Sequence, residues 1–121
     1  MNEEQFLRGV EEFNSHLFFE CHDTLEDLWH ETRGHDRLFL QGLIQVSVGF
    51  YHILNRNFKG AFSQWTKAED KLTHYRPIHK QVNLELLLPA VAEWRTLAGR
   101  GVNGEHIDID ESRIPKFIIQ P

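Results

Sequence analysis

Gln41, Gln45 and His52 share one stripe of a segment, Arg37 to Asn55, that is otherwise apolar almost all the way round a helix. At about 100° per residue the three fall within roughly 40° of one another, so one side of a buried helix is polar. Unpaired buried amides and imidazoles cost roughly 1 to 3 kcal/mol each, so this stripe requires either internal partners or a ligand. A second group lies upstream in Phe18-Phe19-Glu20-Cys21-His22-Asp23-Thr24-Leu25-Glu26-Asp27-Leu28-Trp29. His22 and Glu26, four residues apart, share a helix face at the edge of the apolar arc, near Trp29 and Arg33. A His and a carboxylate at that spacing can ligate a divalent metal. They can also hydrogen-bond so that the carboxylate holds the imidazole ready for acid-base work, and they are also an ordinary surface pair.

The elements that must position these groups follow from hydrophobic period and helix punctuation. Phe6, Val10, Phe13 and Leu17 give a first helix over about 3–15, with Glu3 and Glu4 at its positive end and a break at Asn14-Ser15. Phe18, Cys21, Leu25, Leu28 and Trp29 give a second over about 18–33, stopped by Gly34. Asp36 is the expected cap of a third helix running to Asn55, and Asn57 that of a fourth over about 58–75, ended by Pro77. Asn83 caps a fifth over 84–98, in which Pro89 either sits in an early turn or divides the helix, and Gly99-Arg-Gly101 ends it. Short connections predict antiparallel hairpins, hence an all-α bundle of about five helices. Residues 1–104 form the bundle, and residues 105–121, with Ile107, Ile109, Ile114, Phe117, Ile118 and Ile119, form an extended arm laid on the bundle or on a partner.

Pairing helices 2 and 3 as a hairpin lets Gln41, Gln45 and His52 face His22 and Glu26 between walls supplied by Trp29, Phe50 and Tyr51. That is the make-up of a small-molecule pocket, and equally of a buried hydrogen-bond network that fixes helix register and binds nothing. Glu20 points away from the apolar arc and reaches the site only if the helix starts irregularly. His22, Glu26 and His52 supply at most three metal ligands, which would leave a water position open. Five further histidines of the eight, His30, His35, His74, His79 and His106, read as exposed or terminal residues. Cys21 falls on the apolar side of helix 2 as a structural thiol. There is no His-Glu-x-x-His, Cys-x-x-Cys, phosphate loop or Gly-x-Ser-x-Gly elbow.

A net charge of −5 argues against a nucleic-acid surface. A single cysteine, a polar start and an apolar segment interrupted by Gln41, Gln45 and His52 point to a cytoplasmic chain with no membrane span.

The combination Phe13-Asn14, Phe19-Glu20-Cys21-His22-Asp23-x-x-Glu26-x-x-Trp29, Phe39-Leu40-Gln41-Gly42-Leu43-Ile44-Gln45, Tyr51-His52, Asn57 and Gly60-Ala61 resembles the small prokaryotic family catalogued as domain of unknown function 309. The resemblance runs over about 3–98 and implies a short, cytoplasmic, all-helical protein. It groups Glu20, His22, Glu26, Trp29, Gln41 and Gln45 in one signature, with Cys21 where alanine is more usual and Asp23 where glutamate is frequent. It supplies no reaction, substrate or cofactor.

Molecular function is therefore unassigned at this level, with binding favoured over catalysis. The candidate ligand-binding residues are Glu20, His22, Glu26, Trp29, Gln41, Gln45, Tyr51 and His52, and the ligand is a small polar molecule or a divalent metal. The alternatives are a protein-interaction module, as a homodimer or with another protein through the arm, and an acid-base or metal-dependent hydrolase.

Overall fold

Three of the five helices begin where an asparagine side chain meets an orphan backbone N–H. Asn2 Oδ1 accepts from the N–H of Gln5 at 3.0 Å, Asn57 Oδ1 from Gly60 at 2.9 Å and Asn83 Oδ1 from Leu86 at 3.0 Å. The structure, a computed structural model describing residues 1–121, has helices α1 (Glu3–Asn14), α2 (Phe18–Glu31), α3 (Asp36–Leu54), α4 (Phe58–Leu72) and α5 (Leu84–Val102). Connections of three or four residues join the first four helices and an eleven-residue one joins α4 to α5, and each helix packs on the next, α1 on α2, α2 on α3, α3 on α4 and α4 on α5. α3 is thus flanked by α2 on one side and α4 on the other. Its inward face buries Phe39, Leu43, Val46, Phe50 and Ile53, while its outward stripe carries Gln41 and Gln45.

Aromatic rings fill the centre. Phe50 meets Phe13, Phe18, Trp65 and Trp94 at ring separations of 5.9, 5.6, 4.7 and 5.5 Å. Trp65 reaches α3 because Gly49 stands opposite: a Cβ there would lie 2.1 Å from the indole nitrogen, which instead donates to the Val46 carbonyl at 3.1 Å. No helix is long and apolar enough to cross a membrane.

Several elements differ from the sequence expectation. α5 runs unbroken through Pro89 and on to Val102, past the glycines expected to stop it. Those glycines are packing positions: a Cβ on Gly101 would strike the Phe58 ring at 2.5 Å, and one on Gly99 would crowd Phe62 at 3.3 Å. α2 ends at Glu31, with Gly34 left-handed at φ +79° three residues later. Asp36 does not cap α3. The residue before the helix is His35, which makes no capping bond, and the Asp36 carboxylate turns to His79 Nε2 at 2.7 Å and Lys80 Nζ at 3.5 Å. His79 is accordingly not a free surface residue. It packs against Phe39 at 4.6 Å and Tyr75 at 4.8 Å within a two-stranded hairpin, β1 (Ile78–His79) and β2 (Val82–Asn83), that helical periodicity did not signal. Lys80 and Gln81 turn that hairpin with φ of 48° and 68°, the left-handed pair a two-residue turn needs.

The segment after α5 is extended apart from one short 3-10 turn at Glu111–Arg113. Ile114 and Phe117 join the same 28-residue buried cluster as the helices, so arm and bundle share one core. Phe117 stacks on Phe13 at 3.7 Å, and the Asn14 side chain holds its backbone from both sides, donating to its carbonyl at 3.1 Å and accepting from its N–H at 2.8 Å. Further along, Asn83 N–H donates to Ile118 O at 2.9 Å and Gln120 N–H to Gln81 O at 2.7 Å, which adds the arm to the hairpin edge.

Candidate functional site

Along the outward stripe of α3 runs a groove of about 370 Å³ with α2 as one wall and α4 as the other. His22, Glu26 and Trp29 line it from α2, Gln41, Ile44, Gln45 and Val48 from α3, and Gln64 from α4. Helical spacing explains the assembly: His22, Glu26 and Trp29 descend α2 in steps of four and three, and Gln41, Ile44, Gln45 and Val48 follow the same rule on α3. Ile44 and Val48 give it an apolar floor.

The α2 wall is an imidazole–carboxylate row. His22 Nε2 lies 2.7 Å from Glu26 Oε2 and His22 Nδ1 3.3 Å from Asp23 Oδ1, while His30 Nε2 stands 3.8 Å from the other Glu26 oxygen. Glu26 is therefore occupied on one oxygen and approached on the other. Trp29 is fixed by its neighbours. The Arg37 guanidinium sits 3.8 Å over the indole ring and donates to the carbonyls of Trp29 at 3.1 Å and Thr32 at 3.0 Å.

Two of the lining side chains each carry a polar atom buried without a hydrogen-bond partner, the Trp29 indole nitrogen and the Gln45 amide oxygen; elsewhere in the chain Glu12 Oε1 and Arg95 Nε share that condition. The indole nitrogen is a donor only and the amide oxygen an acceptor. The other two tryptophans contrast with Trp29. Trp65 donates to Val46 O at 3.1 Å and Trp94 to Arg113 O at 3.3 Å.

Of the residues singled out in the sequence, His22, Glu26, Trp29, Gln41 and Gln45 converge on the groove, and Glu20, Tyr51 and His52 do not line it. Glu20 is exposed on another side of a helix that starts regularly enough to keep it there. Tyr51 is exposed and packs on Phe19 with rings 5.8 Å apart. His52 lies at the far end of α3, where Asn57 Nδ2 approaches its Nδ1 at 3.3 Å and Gly60 leaves room for the ring. The three-ligand set His22, Glu26 and His52 is thus not assembled, and no three His, Cys, Asp or Glu side chains elsewhere in the chain cluster so as to hold a metal ion. Phe50, expected as a wall, is fully buried in the core, and Ile44 and Val48 take that place.

Gln64 was missed. It stands one residue before Trp65 and three after Ala61, at the border of the α4 apolar seam, which is the signal that could have found it. No hydroxyl or thiol lines the groove. Cys21 is buried on the core side, where burial above all pushes its thiol up to about 12, against a smaller opposing effect from Ser47. What the lining offers is hydrogen-bonding groups, the His22–Glu26 pair and three carboxamides, around an apolar floor.

Residues 6–64 match the family described as Domain of unknown function (DUF309). The matched stretch takes in α1 from Phe6, all of α2 and α3 and the first half of α4, and every groove residue falls within it. It is shorter than the span of about 3–98 expected from the sequence motifs. No curated protein matches the chain.

Proposed function

Since residues 6–64 belong to the DUF309 family, whose description states no activity, we propose a function from geometry: the groove over α3 binds a small polar ligand. The observation that carries this reading is the pair of partnerless groups, Trp29 Nε1–H and Gln45 Oε1, on two side chains that line one groove. Leaving them unmet costs roughly 1 to 3 kcal/mol each, which a ligand carrying an acceptor and a donor would recover. The volume lies within the range of small-molecule sites, and the lining sets five polar side chains, His22, Glu26, Gln41, Gln45 and Gln64, around Trp29, Ile44 and Val48, a composition suited to a polar ligand. The lining holds no hydroxyl or thiol, and its one carboxylate, Glu26, is already engaged by His22 at 2.7 Å, which favours binding over turnover. A cytoplasmic setting fits a chain whose one thiol, Cys21, is free.

The test is a thermal-shift screen of small polar molecules and divalent cations against wild type, His22→Ala and Gln45→Ala. Ligand at about 100 times its Kd stabilises by about 2.7 kcal/mol, a shift of several degrees. Wild type should respond to at least one polar compound, and the variants should stay folded and lose the response. A wild-type melting temperature that no compound moves would sink the reading.

One observation favours a second reading, a protein partner or a second copy. Phe19 and Tyr51 are both exposed and in contact with each other beside His22. The arm offers less for it, since Ile107, Ile114 and Phe117 are buried and Ile118 is its one exposed large apolar side chain. Under this reading Phe19→Ser with Tyr51→Ser reduces the solution mass or abolishes capture of a partner.

A further inference from the structure

We infer that the ligand of the α3 groove is a molecule without an anionic group that presents an amide edge, a carbonyl oxygen beside an N–H, as in a lactam, a cyclic ureide or a primary carboxamide. This rests on the reading of the groove as a ligand site. Three observations carry it.

The first is charge. Among the groove residues Glu26 is the one carboxylate and there is no lysine or arginine. A phosphate, sulfate or carboxylate would enter without a fixed counter-charge and against Glu26. The nearest guanidinium, Arg37, is committed to the Trp29 ring face and to the carbonyls of Trp29 and Thr32.

The second is the sense of the partnerless groups. Trp29 Nε1–H can only donate, so the ligand must bring an acceptor, and beside Glu26 that acceptor is a neutral carbonyl oxygen. Gln45 Oε1 accepts, so with the amide in this orientation it meets an N–H of the ligand. A half-turn of the terminal amide exchanges its oxygen and nitrogen, which lets Gln45 follow the ligand's edge, whereas Trp29 fixes the polarity at its own end.

The third is repetition of one functional group. Gln41, Gln45 and Gln64 place three carboxamides around the floor of Ile44 and Val48, the first two one turn apart on α3 and the third across from them on α4. Each carboxamide pairs with another amide through one donated and one accepted hydrogen bond, and the apolar floor takes the carbon skeleton.

The experiment is a titration of ¹⁵N-labelled full-length protein, following the three indole N–H resonances and the glutamine side-chain amides. Trp65 and Trp94 are internal controls, since their N–H groups are already bonded inside the core. The probes are hydantoin and 2-pyrrolidinone as neutral amides, acetate and inorganic phosphate as anions, and glucose as a polyol. Expected is a saturable shift of the Trp29 indole and the Gln45 amide with hydantoin, the control indoles unmoved, and affinity reduced at least tenfold in Gln45→Leu. Unchanged Trp65 and Trp94 resonances certify that this variant is folded, and Gln64→Leu, on the opposite wall, gives a second chance to see the loss. Shifts of Trp29 with acetate, phosphate or glucose at concentrations where the amides do nothing would overturn the amide class and leave the groove as a binding site. No shift with any probe would overturn both.

Discussion

Replacing Gln45 by methionine removes the partnerless acceptor while nearly preserving side-chain length and helix propensity. If the groove is built for a ligand, the free protein carries this amide at a cost, and a thioether facing Ile44, Val48 and Trp29 lifts it. Relief of an unsatisfied buried acceptor is worth roughly 1 to 3 kcal/mol, less the polar solvation retained at a half-open groove, so we take about 1 to 2 kcal/mol of net stabilisation. For a chain of this size that raises the melting temperature by about 3–10 °C, and the urea midpoint moves without a change of slope. Gln41→Met is the matched control, because neither Gln41 amide atom is buried and partnerless, and it should fall within about 0.5 kcal/mol of wild type. Calorimetry and urea unfolding on the three proteins decide the matter. If Gln45→Met instead loses 1 kcal/mol or more, the amide is a satisfied member of a register-fixing network, and the argument from partnerless groups fails.

Other parts of the account are testable on the same protein. Gly49→Ala drives a methyl into the Trp65 indole and should cost at least about 2 kcal/mol in urea unfolding, since helix and ring are both locked in the core. Phe117→Ala removes the ring stacked on Phe13 and should cost about 3 to 5 kcal/mol, with amide exchange accelerated first in the arm and at β2. Cys21, with its thiol raised to about 12, should resist iodoacetamide at pH 8 in the native state and react on unfolding; quantitative native labelling would contradict its burial. Burial tends to raise the Asp36 carboxyl, but the His79 hydrogen bond and the Lys80 and His79 charges outweigh it and hold it below its ordinary value. A depressed carboxylate contributes stability that is complete above its unfolded pKa of about 3.9 and lost as pH falls through the lower folded value, so Asp36→Asn should flatten the acid limb of the stability profile.

How far the sequence carried the fold is visible in particular residues. Asn57 and Asn83 announced two helix starts because a cap is a local signal, read within four residues. Gly99 and Gly101 misled because a glycine that admits an aromatic ring from another helix is spelled like one that ends a helix, and only the tertiary contact with Phe58 and Phe62 separates them. Asp36 misled likewise: its carboxylate found His79, 43 residues away, rather than its own backbone. At the site, His22, Glu26, Trp29, Gln41 and Gln45 were legible from helix period alone, since neighbouring helices present their border residues to each other. His52 shares the angular stripe of Gln45 but stands two turns along the axis, and angle without axial position placed it wrongly. Gln64 carried the same border signal on α4, but only the packing of α4 on α3 separates a border glutamine that faces the groove from one that faces solvent.

Native mass spectrometry of the untagged protein, incubated with a small-molecule extract, puts the central claim to its most direct test. The account predicts an added small-molecule mass on wild type that is absent from Gln45→Leu under identical conditions. A wild type seen only at its bare chain mass, or an adduct that Gln45→Leu retains in full, would contradict the claim that the groove over α3 is a binding site.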